Sequence, residues 1–178
     1  MFQMSDDPVA LSVDLVNTWD ALESPAELLR DQAALRRFLE RHGYHAARTT
    51  RADLAAARSL RDALRSSFEA AGEAQAVDAL NGILRGSHAR PHLEQRAGEW
   101  RLTWTGPLAD VLAAATAMSL LEAIRDDGWE RFGVCAGAPC CCVFVDRSKN
   151  RSRRFCSDLC ADRVAQAALR ARRRAGRR

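Results

Sequence analysis

Apolar residues recur at helical spacing through most of the first 127 residues of this 178-residue chain. Apolar side chains at i, i+3, i+4 and i+7 are typical of helices that bury one face, and a denser run at the start predicts a buried helix. Ser24-Pro25 predicts a cap and first turn, and Gly43 and Gly86 predict helix ends. The predicted helices cover residues 8–20, 25–42, 51–71, 77–86 and 108–124.

Helical spacing stops at residues 87–91. Residues 92–96 and 99–105 then alternate around Ala97-Gly98, which predicts a β-hairpin. Trp100 and Trp104 fall on one face of the second strand. We expect this apolar face to pack on helices, although a platform that stacks bases would have the same spacing.

All six cysteines lie between residues 135 and 160, in two close pairs and the extra thiols of Cys141 and Cys142. Pairs at this spacing can supply four thiolates to a tetrahedral Zn²⁺ site, and a closed four-thiolate site is structural rather than catalytic. The sequence therefore predicts one structural Zn²⁺, and its predicted ligands are Cys135, Cys140, Cys156 and Cys160.

The run Cys140-Cys141-Cys142 leaves the identity of the second ligand open. We expect Cys140, because the turn with Gly137 and Pro139 returns a thiolate at this spacing, and we expect Cys142 to be a small buried hydrophobic residue. A secreted disulfide framework would spread its cysteines and follow a signal peptide, but the first residues have neither a basic nor an apolar signal region. Reduced thiols and a cytoplasmic location are therefore expected.

Short elements are predicted around the cysteines. Residues 143–146 predict a strand, 147–151 a polar turn and 152–155 a return strand. Ser157 or Asp158 would cap a helix that runs to Arg174. The positive end of this helix dipole would favour the thiolates of the second pair, as in a treble-clef-like finger.

The C-terminal segment resembles the CGNR-type zinc fingers of bacterial proteins. The resemblance rests on residues 135–140, 144–146 and 148–154, and on Cys160-Ala-Asp-Arg163, in which Ala and Asp replace the Gly and Asn of the name-giving tetrapeptide. Residues 11–18 are similar to the N-terminal motif of ABATE, the helical domain that precedes this finger. The resemblance implies a stress-induced transcription regulator with a sensor or dimerisation domain.

The predicted fold class is mainly α. A multihelical ABATE-like domain with a β-hairpin is expected at residues 1–128, and it has room for a core in a chain that is 47% hydrophobic. A small treble-clef-like zinc finger with a basic helix is expected at 129–174, and a basic tail at 175–178.

The net charge of +4 conceals an asymmetry along the chain. Residues 147–178 carry twelve Lys and Arg against two Asp, a charge of +10, whereas residues 1–146 carry fifteen against twenty-one acidic residues, a charge of −6. Such a basic end indicates nucleic acid as its anionic partner. The predicted nucleic-acid contacts are Arg147, Lys149, Arg151, Arg153, Arg154, Arg163, Arg170, Arg172, Arg173 and Arg174.

Three functional hypotheses follow. The resemblance favours a DNA-binding transcriptional regulator, which could act as a homodimer. An RNA-binding or ribosome-associated zinc module would use the same basic surface. A thiol-based redox or metal sensor would use Cys141 and Cys142.

Asp14, Asn17 and Thr18 give a polar face to the first, otherwise apolar helix. Helix capping and a buried hydrogen-bond network would explain these residues. The alternative is a ligand pocket for a small-molecule effector. No catalytic triad, phosphate loop or paired-carboxylate motif stands out, so a non-enzymatic protein is expected.

Overall fold

A computed structural model describes residues 8–44, 48–96 and 98–175 of the chain. The helices are α1 (Pro8–Val16), α2 (Gln32–Arg41), α3 (Arg51–Phe68), α4 (Glu73–Gly86), α5 (Leu108–Asp127) and α6 (Asp158–Ala175). The strands are β1 (Arg90–Arg96), β2 (Glu99–Thr105), β3 (Phe132–Val134) and β4 (Val143–Val145), and a 3₁₀ turn covers Trp129–Arg131. The mainly α fold class is confirmed. Residues 8–128 are called the helical domain below, and residues 129–175 the finger.

The second helix begins later than predicted, and the capping chemistry explains the difference. The Asp31 side chain accepts a hydrogen bond from the Ala34 N–H at 2.7 Å, and α2 starts at the next residue. The Ser24-Pro25 prediction of a helix start is therefore wrong. The preceding irregular segment is held by α3 instead, since the Arg58 guanidinium donates to the Leu29 carbonyl at 2.6 Å.

The helical domain packs around α5, whose buried residues include Leu112, Ala117 and Leu120. Helix α1 contacts α5 in part through small side chains. Ser12 Oγ donates to the Thr116 carbonyl at 3.1 Å and lies 3.0 Å from Ser119 Oγ. None of the described helices is long and apolar enough to cross a membrane.

The predicted hairpin forms, with β1 and β2 antiparallel and Leu93 opposite Leu102. Only Trp104 packs against the core, however, while Trp100 is 66% exposed and Leu93 63% exposed. The expectation that the whole apolar face packs on helices is therefore wrong. Thr103 on the opposite face is buried instead, and its hydroxyl lies 2.9 Å from His92 Nε2 of β1.

The finger begins with strands that join the main core. Strand β4 pairs with β3, which precedes the first cysteine pair, so the predicted return strand at 152–155 is wrong for the described chain. Phe132 of β3 contacts Phe68 with ring centroids 5.1 Å apart, and Val143 of β4 belongs to the same buried cluster. Residues 152–154 are exposed Ser and Arg, which have no apolar surface to bury in such a pairing.

Candidate metal centre and basic surface

Two turns of the finger bring four thiols together. Cys135 and Cys140 lie in the turn between β3 and β4, and Cys156 and Cys160 lie at the start of α6. All four Sγ atoms lie within 4.8 Å of one another. The Cys140–Cys156 and Cys156–Cys160 sulfur pairs are each 3.7 Å apart.

These distances fit a metal site and exclude disulfides. Four thiolates about 2.3 Å from a central Zn²⁺ form a tetrahedron with edges of about 3.8 Å. A disulfide would place two sulfurs about 2 Å apart, and all six cysteines are free. The cluster therefore fits one structural Zn²⁺ with no open position.

The pKa values of the clustered thiols also favour a bound cation. Burial, together with the Cys140 and Cys160 thiols, raises the pKa of Cys156 to about 12, and burial raises the pKa of Cys140. At Cys135 burial acts in the same direction, but hydrogen bonds from the backbone of Cys156 and Gly137 prevail and lower its pKa. Four thiolates so close together repel one another, and a bound metal ion removes this penalty because its charge displaces the protons.

Backbone hydrogen bonds shape the first turn before any metal is considered. The Cys135 N–H donates to the Cys142 carbonyl at 2.9 Å, and the Cys140 N–H donates to the Gly137 carbonyl at 3.0 Å. A Cβ on Gly137 would lie 3.2 Å from Arg163 Nη2 and 3.5 Å from Cys135 Sγ, so a larger residue would crowd the cluster. At the second turn, Ser157 Oγ accepts from the Cys160 N–H at 3.4 Å, which makes Ser157 the helix cap.

The two additional cysteines lie outside the four-thiol group. Cys142 is buried, and burial raises its pKa, as suits a thiol that packs as a small apolar residue. Its sulfur forms a second close group with Cys140 and an Asp20 oxygen. That group has only three ligands and a harder carboxylate, so the four-thiol group matches the preference of Zn²⁺ better.

Arg163, a predicted nucleic-acid contact, is turned towards the cysteines. Its Nη2 donates to the Gly137 carbonyl and lies 3.7 Å from Cys160 Sγ. Its Nε is buried and has no hydrogen-bond partner in the described part of the chain. A guanidinium here would offset the negative charge that four thiolates leave around a bound Zn²⁺, and contact of Arg163 with nucleic acid stays a prediction.

The loop after β4 is shaped by Asp146, which the sequence analysis did not single out. Its buried carboxylate accepts from the N–H groups of Ser148 at 2.7 Å and Arg153 at 2.9 Å. The hydrogen bonds from Ser148 and Arg153 hold the pKa of Asp146 below its ordinary value. Arg131, which precedes β3, donates to the main-chain carbonyl of Asp146 at 2.7 Å and so attaches this loop to the start of the finger. An Asp two residues before a Ser in a polar turn is the local signal that could have found it.

The remaining predicted basic contacts fall into two exposed groups. One lies on this loop and the other on the second half of α6, where every residue from 165 to 175 is exposed. The loop group is Arg147, Lys149, Arg151, Arg153 and Arg154, and the helix group is Arg170, Arg172, Arg173 and Arg174.

Arg153 is the best-fixed residue of the loop group. Its guanidinium donates to the carbonyls of Phe155, at 2.9 Å, and Cys156. It also lies over the Phe144 ring, 5.1 Å from the centroid. The Phe144 ring in turn packs directly on Gly133 of β3, where an added Cβ would lie 2.6 Å from the ring.

The predicted pocket residues Asp14, Asn17 and Thr18 line one cavity of about 260 Å³. The Asn17 side chain, however, pairs with the backbone of Val143, accepting from N–H at 2.8 Å and donating to the carbonyl at 2.9 Å. Thr18 Oγ1 donates to the Leu15 carbonyl at 2.7 Å. The hydrogen-bond network therefore accounts for Asn17 and Thr18, and Asn17 joins the helical domain to the finger.

Comparison with known families agrees with this architecture. A family model named ABATE and described as "Putative stress-induced transcription regulator" matches residues 10–127, and a CGNR zinc finger model matches residues 131–173. Neither description is that of an enzyme class. No curated protein gives a significant sequence match. The match to ABATE covers more than half of the chain, so the protein belongs to the ABATE family and carries a CGNR zinc finger at its C-terminal end.

Proposed function

We propose that the protein is a non-enzymatic transcriptional regulator of a bacterial cytoplasm, and that its finger binds duplex DNA. The observation that carries this proposal is the exposure of α6. This helix has 18 residues, and all of residues 165–175 are exposed, including four arginines. A helix that buries so little of itself within its own chain is available to another molecule.

The shape of α6 favours DNA over RNA. At 1.5 Å per residue the helix is about 27 Å long, and the major groove of B-DNA, about 12 Å wide, admits an α-helix. The corresponding groove of A-form RNA is too narrow for side chains to enter. Alanines between the arginines keep the helix slim and give it high intrinsic helicity.

The loop group supports the proposal from the other end of the helix. A cavity of about 300 Å³ at the start of α6 is lined by Ser152, Arg153, Arg154, Ser157 and Asp158, among others. Hydroxyls, guanidinium groups and the first turn of a helix suit a phosphate, although the Asp158 carboxylate in the same lining would oppose it. Phosphate contacts here would fix the register of α6 on the duplex.

Each part of the finger then has a task in the proposed mechanism. Zn²⁺, when bound, cross-links the β3–β4 turn to the start of α6. Arg153 binds the Cys156 carbonyl, and the Asp146 carboxylate holds the two ends of the basic loop together. Asn17 and Arg65 attach the finger to the helical domain. Asn17 pairs with the backbone of Val143, and Arg65 Nη1 donates to the Cys141 carbonyl at 2.7 Å. The two basic groups are thereby presented as one surface.

Fluorescence anisotropy with a random-sequence 20-base-pair DNA and with an RNA hairpin of equal length tests the proposal. We expect the DNA to bind more tightly, with an affinity that falls steeply as salt rises. Replacing Arg172, Arg173 and Arg174 together by Gln should reduce the slope of log K against log salt by about 2 to 3.

The matched control replaces Arg36, Arg37 and Arg125 of the helical domain, which are also exposed, by Gln. This variant has the same net charge as the first and should bind DNA as the unaltered protein does. An equal loss of DNA affinity in both variants would show that the overall charge of the protein, not the α6 surface, drives binding. Tighter binding of the RNA hairpin would favour the RNA-binding alternative instead.

A further inference from the structure

A cleft of about 340 Å³ lies where the finger meets α1. Val9 and Val13 of α1 line one side, and Val143, Phe144 and Val145 of β4 line the other. Its volume falls within the range of small-ligand sites, about 300–1,000 Å³, which combine apolar walls with a few polar groups. The cleft has walls from both parts of the protein, so it depends on the contact of β4 with α1, to which Asn17 contributes two hydrogen bonds.

Charged groups of opposite sign face each other across this cleft. Arg147 and Arg153 line it on the finger side, and Asp14 lines it on the side of α1. The nearby Asp146 carboxylate is turned away into the loop, where it accepts the N–H groups of Ser148 and Arg153. Asp14 has a partner of its own, since its carboxylate lies 3.3 Å from His42 Nε2.

We propose that this cleft binds a small organic anion with an apolar body, such as an aromatic or branched-chain carboxylate. The carboxylate contacts Arg147 and Arg153, whose planar guanidinium groups match its geometry. The apolar body lies along the half-buried valines Val9, Val13 and Val145 and against the buried Phe144. The charges of the cleft set the orientation of the ligand, because the reverse orientation would place its carboxylate beside the Asp14 carboxylate.

Such a ligand would oppose nucleic-acid binding, and this step rests on the proposed function. Arg153 lines both this cleft and the cavity at the start of α6. Arg147 and Arg153 are also in the loop group that we propose to contact phosphate. An anion that engages these guanidinium groups from the cleft competes with phosphate for them. By linkage, the nucleic acid must weaken binding of the anion by the same factor.

The binding step is tested directly on the zinc-loaded full chain by ¹⁵N NMR titration with phenylacetate and with isovalerate. We expect saturable shifts at residues of the cleft, with a dissociation constant on the order of 1 mM for ligands of this size. Phenylacetamide, which has the same shape without the charge, should bind at least about ten-fold more weakly. Absence of saturable shifts with both carboxylates, or equal binding of the amide, would overturn the proposal.

Three variants locate the contact. Arg147→Gln should weaken phenylacetate at least about ten-fold, because a charge-assisted contact is lost, while Lys149→Gln, in the same loop but outside the cleft lining, should not. Val13→Trp should block the cleft, and its circular dichroism spectrum reports whether it folds. Unchanged affinity in Arg147→Gln would overturn the carboxylate contact whatever Val13→Trp does.

The competition step is tested by anisotropy of the 20-base-pair DNA with added phenylacetate. The apparent dissociation constant of the DNA should rise with phenylacetate and stay constant with equal concentrations of sodium acetate, which controls for ionic strength. If phenylacetate fills the cleft and the affinity for DNA is unchanged, the competition is refuted. If the protein binds no DNA at all, the proposed function fails, but the NMR titration still decides whether the cleft binds the anion.

Discussion

The helical domain and the finger are stabilised by different physical means. The helical domain buries one continuous cluster of leucines, alanines and aromatic rings, which extends to Phe132 and Val143. The separate buried cluster of the finger consists of cysteines packed with Phe155. Apolar burial alone can stabilise a core of the first kind, whereas the second has too little apolar surface and depends on its metal.

The boundary between the two forms of stabilisation does not coincide with the start of the finger. Strands β3 and β4 lie in the finger segment, yet they pack into the core of the helical domain. The metal is needed only for the parts beyond them, namely the turn between the strands, the basic loop and the start of α6. The finger is one module in the sequence, but it is stabilised partly by the core of the helical domain and partly by its metal.

The strongest test of this division is removal of the metal. Cys156→Ser should abolish zinc binding, because it removes one of four ligands from a site whose binding free energy is on the order of 10 kcal/mol. Hydrogen exchange should become fast in residues 135–142 and 146–163, while α1, α3, α4, α5 and the paired strands β3 and β4 stay protected. Mass spectrometry of the metal content and hydrogen exchange measure the two effects.

Cys141→Ser is the matched control, since Cys141 lies outside the four-thiol group. This variant should keep one zinc ion per chain. Loss of protection throughout α3 and α5 in Cys156→Ser would show instead that the metal supports the whole molecule.

A smaller effect is expected when the apolar core is damaged. Leu80 of α4 is fully buried, so Leu80→Ala should lower the free energy of unfolding by about 2–5 kcal/mol. The zinc content of the folded protein should not change. Leu169→Ala on the exposed part of α6 should change stability by less than about 0.5 kcal/mol. Urea unfolding followed by circular dichroism gives both values, and zinc loss from folded Leu80→Ala would contradict the division.

Removing the contact between the helical domain and the finger should lower stability least of the three changes. Asn17→Ala removes two hydrogen bonds and leaves the Val143 N–H and carbonyl without these partners, which should cost about 1–3 kcal/mol. Asn150→Ala, in the exposed loop, serves as control. Unfolding monitored separately by zinc release and by circular dichroism should coincide in the unaltered protein and diverge in Asn17→Ala. Coincident transitions in the variant would show that Asn17 does not couple the parts.

The sequence predicted the elements with strong local signals. The periodic apolar residues located α3, α4 and α5, and the spacing of the cysteines identified the four thiols that the structure brings together. Where the sequence carries two signals for the start of one helix, local patterns do not decide between them. Both Ser24-Pro25 and Asp31 are good helix starts, and the choice depends on Arg58 of α3, which is distant in sequence and holds the segment between them.

Other features depended on contacts that no local pattern encodes. Strand β3 has only three residues, too few to show alternation, and its place is fixed by the contact between Phe132 and Phe68. Arg163 looked like the other arginines until its neighbours across the cysteine turn were known. Arg58, Arg61 and Arg65 did carry a signal, because their spacing places them on one stripe of α3, and all three bind neighbouring segments.

The exposed half of α6 has a consequence for the evolution of the family. Residues 165–175 are exposed, so a substitution there has little effect on folding, unless it introduces Gly or Pro into the helix. The requirement to fold therefore constrains these positions only weakly. The sequence of this segment can change at little cost to the fold, whereas changes in the cysteines or the apolar core destabilise it.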